Sequence, residues 1–101
     1  MSPLLVVQRA KNFEHALSLC NSVRQGLAAA LFSNSSELQK EFLAEARAGI
    51  LKINSTTAGV DVSLPFGGWK MSGLGPPEHG AGDRLFYTRM QAVYGAQKNP
   101  I

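Results

Sequence analysis

The residues with the widest chemical reach in this chain are one cysteine, Cys20, two histidines, His15 and His79, and the glycine-rich run from Gly67 to Gly75. Cysteine and histidine can serve as nucleophile, base or metal ligand, but the spacing of Cys20, His15 and His79 matches no zinc pattern. Cys20 falls on the apolar stripe of a predicted helix. A free cysteine there behaves as a small hydrophobe, whereas a reactive thiolate needs an electropositive, accessible setting. It is expected in the core. His79, among glycines and prolines, reads as a loop residue before it reads as a base. Gly73-Leu74-Gly75-Pro76-Pro77-Glu78 starts like a dinucleotide fingerprint, then lacks the third glycine and loses two N–H donors to proline. No GxxxxGK[ST] phosphate loop occurs. Ser72 is not a nucleophile elbow, because Lys70 holds the first glycine position. These residues assemble no catalytic set, no metal site and no cofactor seat.

The elements that would position any site follow from periodicity. Leu4 to Val7 suits a buried strand. Asn12 caps a helix whose apolar positions Phe13, Ala16, Leu17, Cys20 and Val23 share one face, opposite Glu14, His15, Ser18, Asn21 and Arg24. Gly26 stops that helix, and Leu27 to Phe32 reads as a second strand. Asn34, Ser35 and Ser36 are N-cap candidates for a second helix, with Glu37 and Gln39 as capping-box partners. Its buried stripe is Leu38, Phe42, Leu43 and Ala46, Arg47 lies in its last turn, and Gly49 suits the C′ position. Ile50 to Ile53 is a third strand. Strands joined through helices of this length pair in parallel, so the fold class is α/β with a parallel sheet in βαβαβ order.

After Asn54 the character changes. Six of the ten glycines lie between Gly67 and Gly82, with Pro65, Pro76 and Pro77 nearby, which is loop chemistry. A short helix around Gly82 to Tyr87 is expected, then a last strand from Met90 to Tyr94 and a tail from Ala96 to Ile101.

Composition narrows the function classes. The 101 residues suit one domain, and 45% hydrophobic with 17% charged residues describes a globular chain. The net charge of +3 comes from basic residues spread along the whole length, which argues against nucleic acid as a partner. A lone cysteine forbids an internal disulfide and fits a reducing, cytoplasmic setting. The N-terminal apolar run is too short for a signal peptide. No stretch approaches the roughly 20 apolar residues that span a bilayer, so no membrane partner is expected.

Pro65-Phe66-Gly67-Gly68-Trp69-Lys70-Met71-Ser72-Gly73-Leu74-Gly75 is similar to the PFGGxKxSGxG segment near the end of NAD(P)-dependent aldehyde dehydrogenases, matching eight residue types at fixed offsets. Gly26 to Phe32 resembles the family's GLAASVF-type strand, and Ala48 to Asn54 its AGxxxxN strand. The resemblance runs from about Pro3 to Gly95 but covers only the C-terminal end of a much longer family chain. It implies that residues 1–89 are part of the catalytic domain and residues 90–101 an oligomerisation strand and tail, in a homo-oligomer. It also implies a parent enzyme that oxidises an aldehyde to a carboxylic acid with NAD or NADP. The family's Rossmann-like domain, nucleophilic cysteine and general-base glutamate lie upstream, so the chain alone is expected to be inactive and to bind no cofactor. Cys20 sits on a different helix from that nucleophile. Ser2-Pro3 falls where the family has Gly-Pro, just after its ribose-binding glutamate, so Met1 is expected to follow a truncation or a cloning boundary.

What the resemblance leaves to this segment is pocket wall. Phe66 matches the family's aromatic that lines the aldehyde channel, with anchoring of the glycine-rich loop as the alternative. Thr57-Ala58-Gly59-Val60-Asp61 looks like the branch acting on α-ketoglutaric semialdehyde, while Phe42 to Gly49 is similar to succinylglutamic semialdehyde dehydrogenases. Both substrates bear carboxylates, which backbone N–H groups of a glycine-containing turn can hold. Gly59 and Val60 therefore join Phe66 as expected substrate-binding residues. Pro77 departs from the family, which has an arginine before the position of Glu78. The competing reading is a stand-alone, non-catalytic oligomerisation or regulatory module.

Overall fold

Asn12 turns the chain into its first helix: its side-chain oxygen accepts from the His15 N–H at 2.8 Å, satisfying one of the N–H groups a helix start leaves free. The computed structural model describes residues 2–95 and gives α1 (Phe13–Asn21), β1 (Gln25–Gly26), β2 (Ala28–Leu31), α2 (Ser36–Glu45), β3 (Ile50–Ile53) and β4 (Trp69–Lys70). A 3₁₀ turn (Gly80–Gly82) then leads into a short α3 (Asp83–Tyr87). β2 and β3 pair in parallel with Ala28 opposite Ile50 and Leu31 opposite Ile53, and α2 makes the crossover. Asn54 prolongs that pair beyond its last residue. Its side chain accepts from the Ser33 N–H at 2.8 Å and donates to the Ser33 carbonyl at 3.0 Å, as a strand backbone would.

The core lies between α2 and this two-stranded sheet. Ala29, Phe42, Ala46 and Ala48 are buried, and Phe13, Leu17, Leu31, Leu51 and Ile53 pack around them. Phe42 is its one large member, worth about 1.5–3 kcal/mol by burial. The C-terminal ends of the two helices are tied by Asn21. Its amide donates to the Glu45 carbonyl at 2.9 Å and accepts from the Arg47 N–H at 2.8 Å.

Several elements depart from the sequence reading. Leu4 to Val7 forms no strand and is exposed, because no ladder among the described residues offers it a partner. Met90 to Tyr94 is likewise unpaired and exposed. The expected βαβαβ sheet is therefore a βαβ pair. Beside it stands a separate antiparallel pair, β1 with β4, placing Gln25 opposite Lys70 and Gly26 opposite Trp69. Residues 96–101, the expected tail, lie outside the described residues, as does part of the expected 90–101 region.

Local corrections have physical causes. Cys20 is exposed, since the inward face of α1 follows Phe13 and Leu17 and turns Ala16 and Cys20 outward. α1 ends before Gly26, which is buried in β1 instead. On α2, Leu43 is exposed while Phe42 and Ala46 are buried. The N-cap of α2 is Ser35, accepting from Leu38 N–H at 3.3 Å, and no capping box forms. Gln39 reaches back to the Ser33 carbonyl at 2.7 Å. Gly49 is not a C′ residue, because α2 stops at Glu45; it is required by close backbone contact described below.

Candidate functional site

A concavity of about 670 Å³ lies along the flank of β3 where the following loop folds back over it. Gly49, Ile50, Leu51 and Lys52 form one wall, and Ala58, Gly59, Val60, Asp61, Leu64, Pro65 and Phe66 the other. The loop turns back because Lys52 holds it: the Lys52 Nζ donates to the carbonyls of Ala58 and Gly59, each at 2.6 Å. Gly59 sits at φ +79°, a conformation open to glycine, so the turn can direct both carbonyls to one cation. Gly59, Val60 and Phe66 thus line the same cavity.

At the far end of the loop, Asp61 closes an Asx turn. Its Oδ1 accepts from the Ser63 hydroxyl at 2.7 Å and the Ser63 N–H at 2.9 Å. The hydroxyl first and then the N–H hold the Asp61 carboxyl below the usual carboxylate range. A carboxyl depressed on folding contributes stability above its unfolded pKa and loses it as pH falls through the folded one, so this turn is intact at neutral pH.

Phe66 is fixed by its backbone. Its N–H donates to the Glu78 carbonyl at 2.7 Å, and the Glu78 N–H returns the bond at 3.1 Å. The half-buried ring lies outside the core cluster and tilts against His79 at 5.9 Å between centroids. Phe66 borders both the β3 cavity and a second hollow of about 400 Å³ that Leu27, Ser72, Leu74 and Phe86 also line. Main-chain pairing supplies the anchor, and the ring supplies a wall.

The glycine-rich segment is packed by its own chain. A Cβ on Gly68 would stand 2.3 Å from the Ser72 carbonyl oxygen, one on Gly73 would stand 2.2 Å from the Gly68 oxygen, and one on Gly49 would stand 1.7 Å from the Gly67 oxygen. Ser72 Oγ accepts from the Gly26 N–H at 3.0 Å, joining this loop to β1. The Lys70 ammonium donates to the carbonyls of Asn21 at 2.8 Å and Val23 at 3.0 Å, capping the end of α1. Lysine, serine and glycines in this motif hold one fold together. The space a nucleotide fingerprint would keep for pyrophosphate is filled by Ser72 and Gly68, and Pro76 and Pro77 offer no N–H donors. The glycine-rich segment therefore offers a pyrophosphate no cradle.

The other reactive side chains stay apart from the cavity. Cys20 borders a shallow crevice with Val23, Arg47 and Ala48. His15 accepts the Lys11 N–H on Nδ1 at 3.1 Å and serves the start of α1. His79 takes φ +70°, and its Nδ1 is buried without a partner. Among the described residues no three His, Cys, Asp or Glu side chains cluster as a metal site, and no helix is long and apolar enough to cross a membrane. Sequence reasoning missed Lys52. The signal was available: a lysine within a run of strand-forming residues, two positions before the loop that forms the pocket.

The chain is similar in sequence and fold to known proteins. N-succinylglutamate 5-semialdehyde dehydrogenase 2 of Caulobacter vibrioides is 47% identical over 72 residues, covering 71% of this chain and 15% of that protein. Alpha-ketoglutaric semialdehyde dehydrogenase of Bacillus subtilis is 33% identical over 92 residues, covering 91% of this chain and 19% of that protein. Among solved structures, an NAD-dependent aldehyde dehydrogenase from Sinorhizobium meliloti superposes with a TM-score of 0.75 at 32% identity, over 90% of this chain and 18% of that one. The chain spans less than a fifth of the length of each of these relatives. The aldehyde dehydrogenase family model matches residues 1–93, and with the packed glycine motif and the β3 cavity in place, the chain belongs to the aldehyde dehydrogenase family.

Proposed function

We propose that this chain is the C-terminal part of an NAD(P)-dependent aldehyde dehydrogenase that oxidises a carboxylate-bearing semialdehyde to the corresponding acid. Within it, the segment supplies a wall of the substrate pocket and subunit contacts, while the nucleophile and the dinucleotide site come from the rest of the parent enzyme. The observation that carries this reading is the cavity that Gly59, Val60 and Phe66 line together against β3, in a chain whose described residues assemble no catalytic set. The fold supports the same view. A radius of gyration of 19.5 Å stands against roughly 13 Å for a compact domain of 100 residues. Leu4, Leu5, Phe32, Leu85 and Met90 remain exposed, apolar surface that the rest of a larger enzyme would cover. A free-standing module would have to solvate all of it.

The test is an exchange. Residues 2–95, placed in Bacillus subtilis alpha-ketoglutaric semialdehyde dehydrogenase instead of its matching segment, are expected to give an active enzyme. The 101-residue chain alone is expected to show no aldehyde oxidation with NAD or NADP. Turnover by the isolated chain, abolished by Cys20→Ser, overturns the proposal, and so does an exchange enzyme that folds but is inactive.

Subunit contacts are the second role. Met90 to Tyr94 contains no proline, Val93 and Tyr94 favour strands, and β1 to β4 leave ladder edges open. The isolated chain is expected to self-associate as its concentration rises, and Val93→Pro, which deletes a ladder donor, to shift it toward monomer. Light scattering reads the outcome: a monomer at every concentration, unchanged by Val93→Pro, removes this role.

A further inference from the structure

Lys52 lines the cavity, and no carboxylate among the described residues is bonded to its ammonium. Its two hydrogen-bond partners are neutral carbonyls, Ala58 and Gly59, and a lysine ammonium has three N–H donors, so one remains. The side chain is half-buried and lines the same cavity as Phe66. The two short bonds fix the position of the charge before a substrate arrives.

We propose that Lys52 is the residue that selects carboxylate-bearing aldehydes, acting as the counter-charge for the carboxylate distal to the reacting carbon. The proposal rests on the pocket reading above and deepens it. In a trans peptide the N–H points opposite to the C=O. With the carbonyls of Ala58 and Gly59 directed at Nζ, the N–H groups of Gly59 and Val60 are directed away from it, so the anion meets the ammonium and not the turn's donors. Asp61 carries the opposing charge on the same rim, but it is fully exposed and its Oδ1 is bound to Ser63, so water and salt screen it. Phe66 and Leu64 supply the apolar part of the channel.

The experiment uses the exchange enzyme and two substrates of equal length, α-ketoglutaric semialdehyde and an uncharged aliphatic aldehyde. Lys52→Met is expected to reduce kcat/KM for the carboxylate substrate by about tenfold to a hundredfold more than for the uncharged one, the weight of one charge-assisted hydrogen bond. Lys52→Arg, which keeps the charge, is expected to recover much of the preference, and raised salt to narrow it. If Lys52 only holds the loop, Lys52→Met lowers both substrates by the same factor and the proposal falls. A preference that survives Lys52→Met also overturns it while leaving the pocket reading intact. An exchange enzyme with no preference before mutation, or with no activity, overturns the reading beneath it and this proposal together.

Discussion

Gly49→Ala in the exchange enzyme is expected to destabilise the fold by about 3 kcal/mol or more, the upper end of the overpacking range, and to cut soluble yield sharply. The new Cβ would lie 1.7 Å from the Gly67 carbonyl oxygen, 2.8 Å from its carbon and 3.1 Å from the Gly68 Cα. All three are backbone atoms, so no side chain can swing aside. Backbone relief would have to break bonds already made. The Gly49 N–H donates to Gly26 at 3.0 Å, the next N–H, that of Ile50, donates to Leu27 at 3.0 Å, and Gly26 itself takes part in the β1–β4 pair. Moving Gly49 therefore strains the parallel sheet, the antiparallel pair and the glycine loop at once. With a whole domain stable by only about 5–15 kcal/mol, such a loss is felt directly in folding. Gly75→Ala is the control, since a Cβ there meets nothing within 4 Å and its φ is ordinary. Thermal unfolding midpoints and soluble yields that match for the two variants would refute the close-packing account.

The same contact shows what was legible in the chain. The parallel β2–β3 pair and both long helices could be read because their signals are local: strand-forming runs, an asparagine or serine cap, and apolar residues at helical spacing. Gly49 carried an equally clear glycine signal with the wrong reason attached, since a helix end and a close approach both require glycine and only tertiary structure tells them apart. The β1–β4 pair was illegible because two-residue strands have no periodicity; Gln25 and Gly26 meet Trp69 and Lys70 across some forty residues of chain, through pairing that only the tertiary fold brings about. Leu4 to Val7 shows the converse failure. Its residue types say that it wants burial but not against what, and nothing among the described residues supplies the partner. At the site, Gly59, Val60 and Phe66 were singled out and meet in one cavity. Lys52 was passed over, because a charge in a short strand reads as solvent-facing until the loop that folds back onto it is known.

Phe66→Ala is expected to lower kcat/KM for the aldehyde by about tenfold or more in the exchange enzyme, with a smaller change in the KM for NAD or NADP. Phe66 lines both the β3 cavity and the hollow beside Ser72, so its ring is expected to act as a partition between them. Without it the two spaces merge, the aldehyde can turn away from the reacting geometry, and water can enter from the second side. The backbone at Phe66 should remain in place, because its two hydrogen bonds to Glu78 use main-chain atoms that alanine retains. The stability loss is therefore expected to stay below the roughly 3–5 kcal/mol of a buried phenylalanine, the ring being only half-buried and outside the core cluster. Truncation also removes the contact with the His79 ring at 5.9 Å between centroids. Those magnitudes separate the two roles of the residue. A channel wall loses specificity for the aldehyde while the unfolding midpoint moves little, and Phe66→Leu, which refills part of the partition, recovers part of kcat/KM. An anchor loses its unfolding midpoint while the kinetics of the surviving enzyme stay normal, and that result would return Phe66 to a structural part.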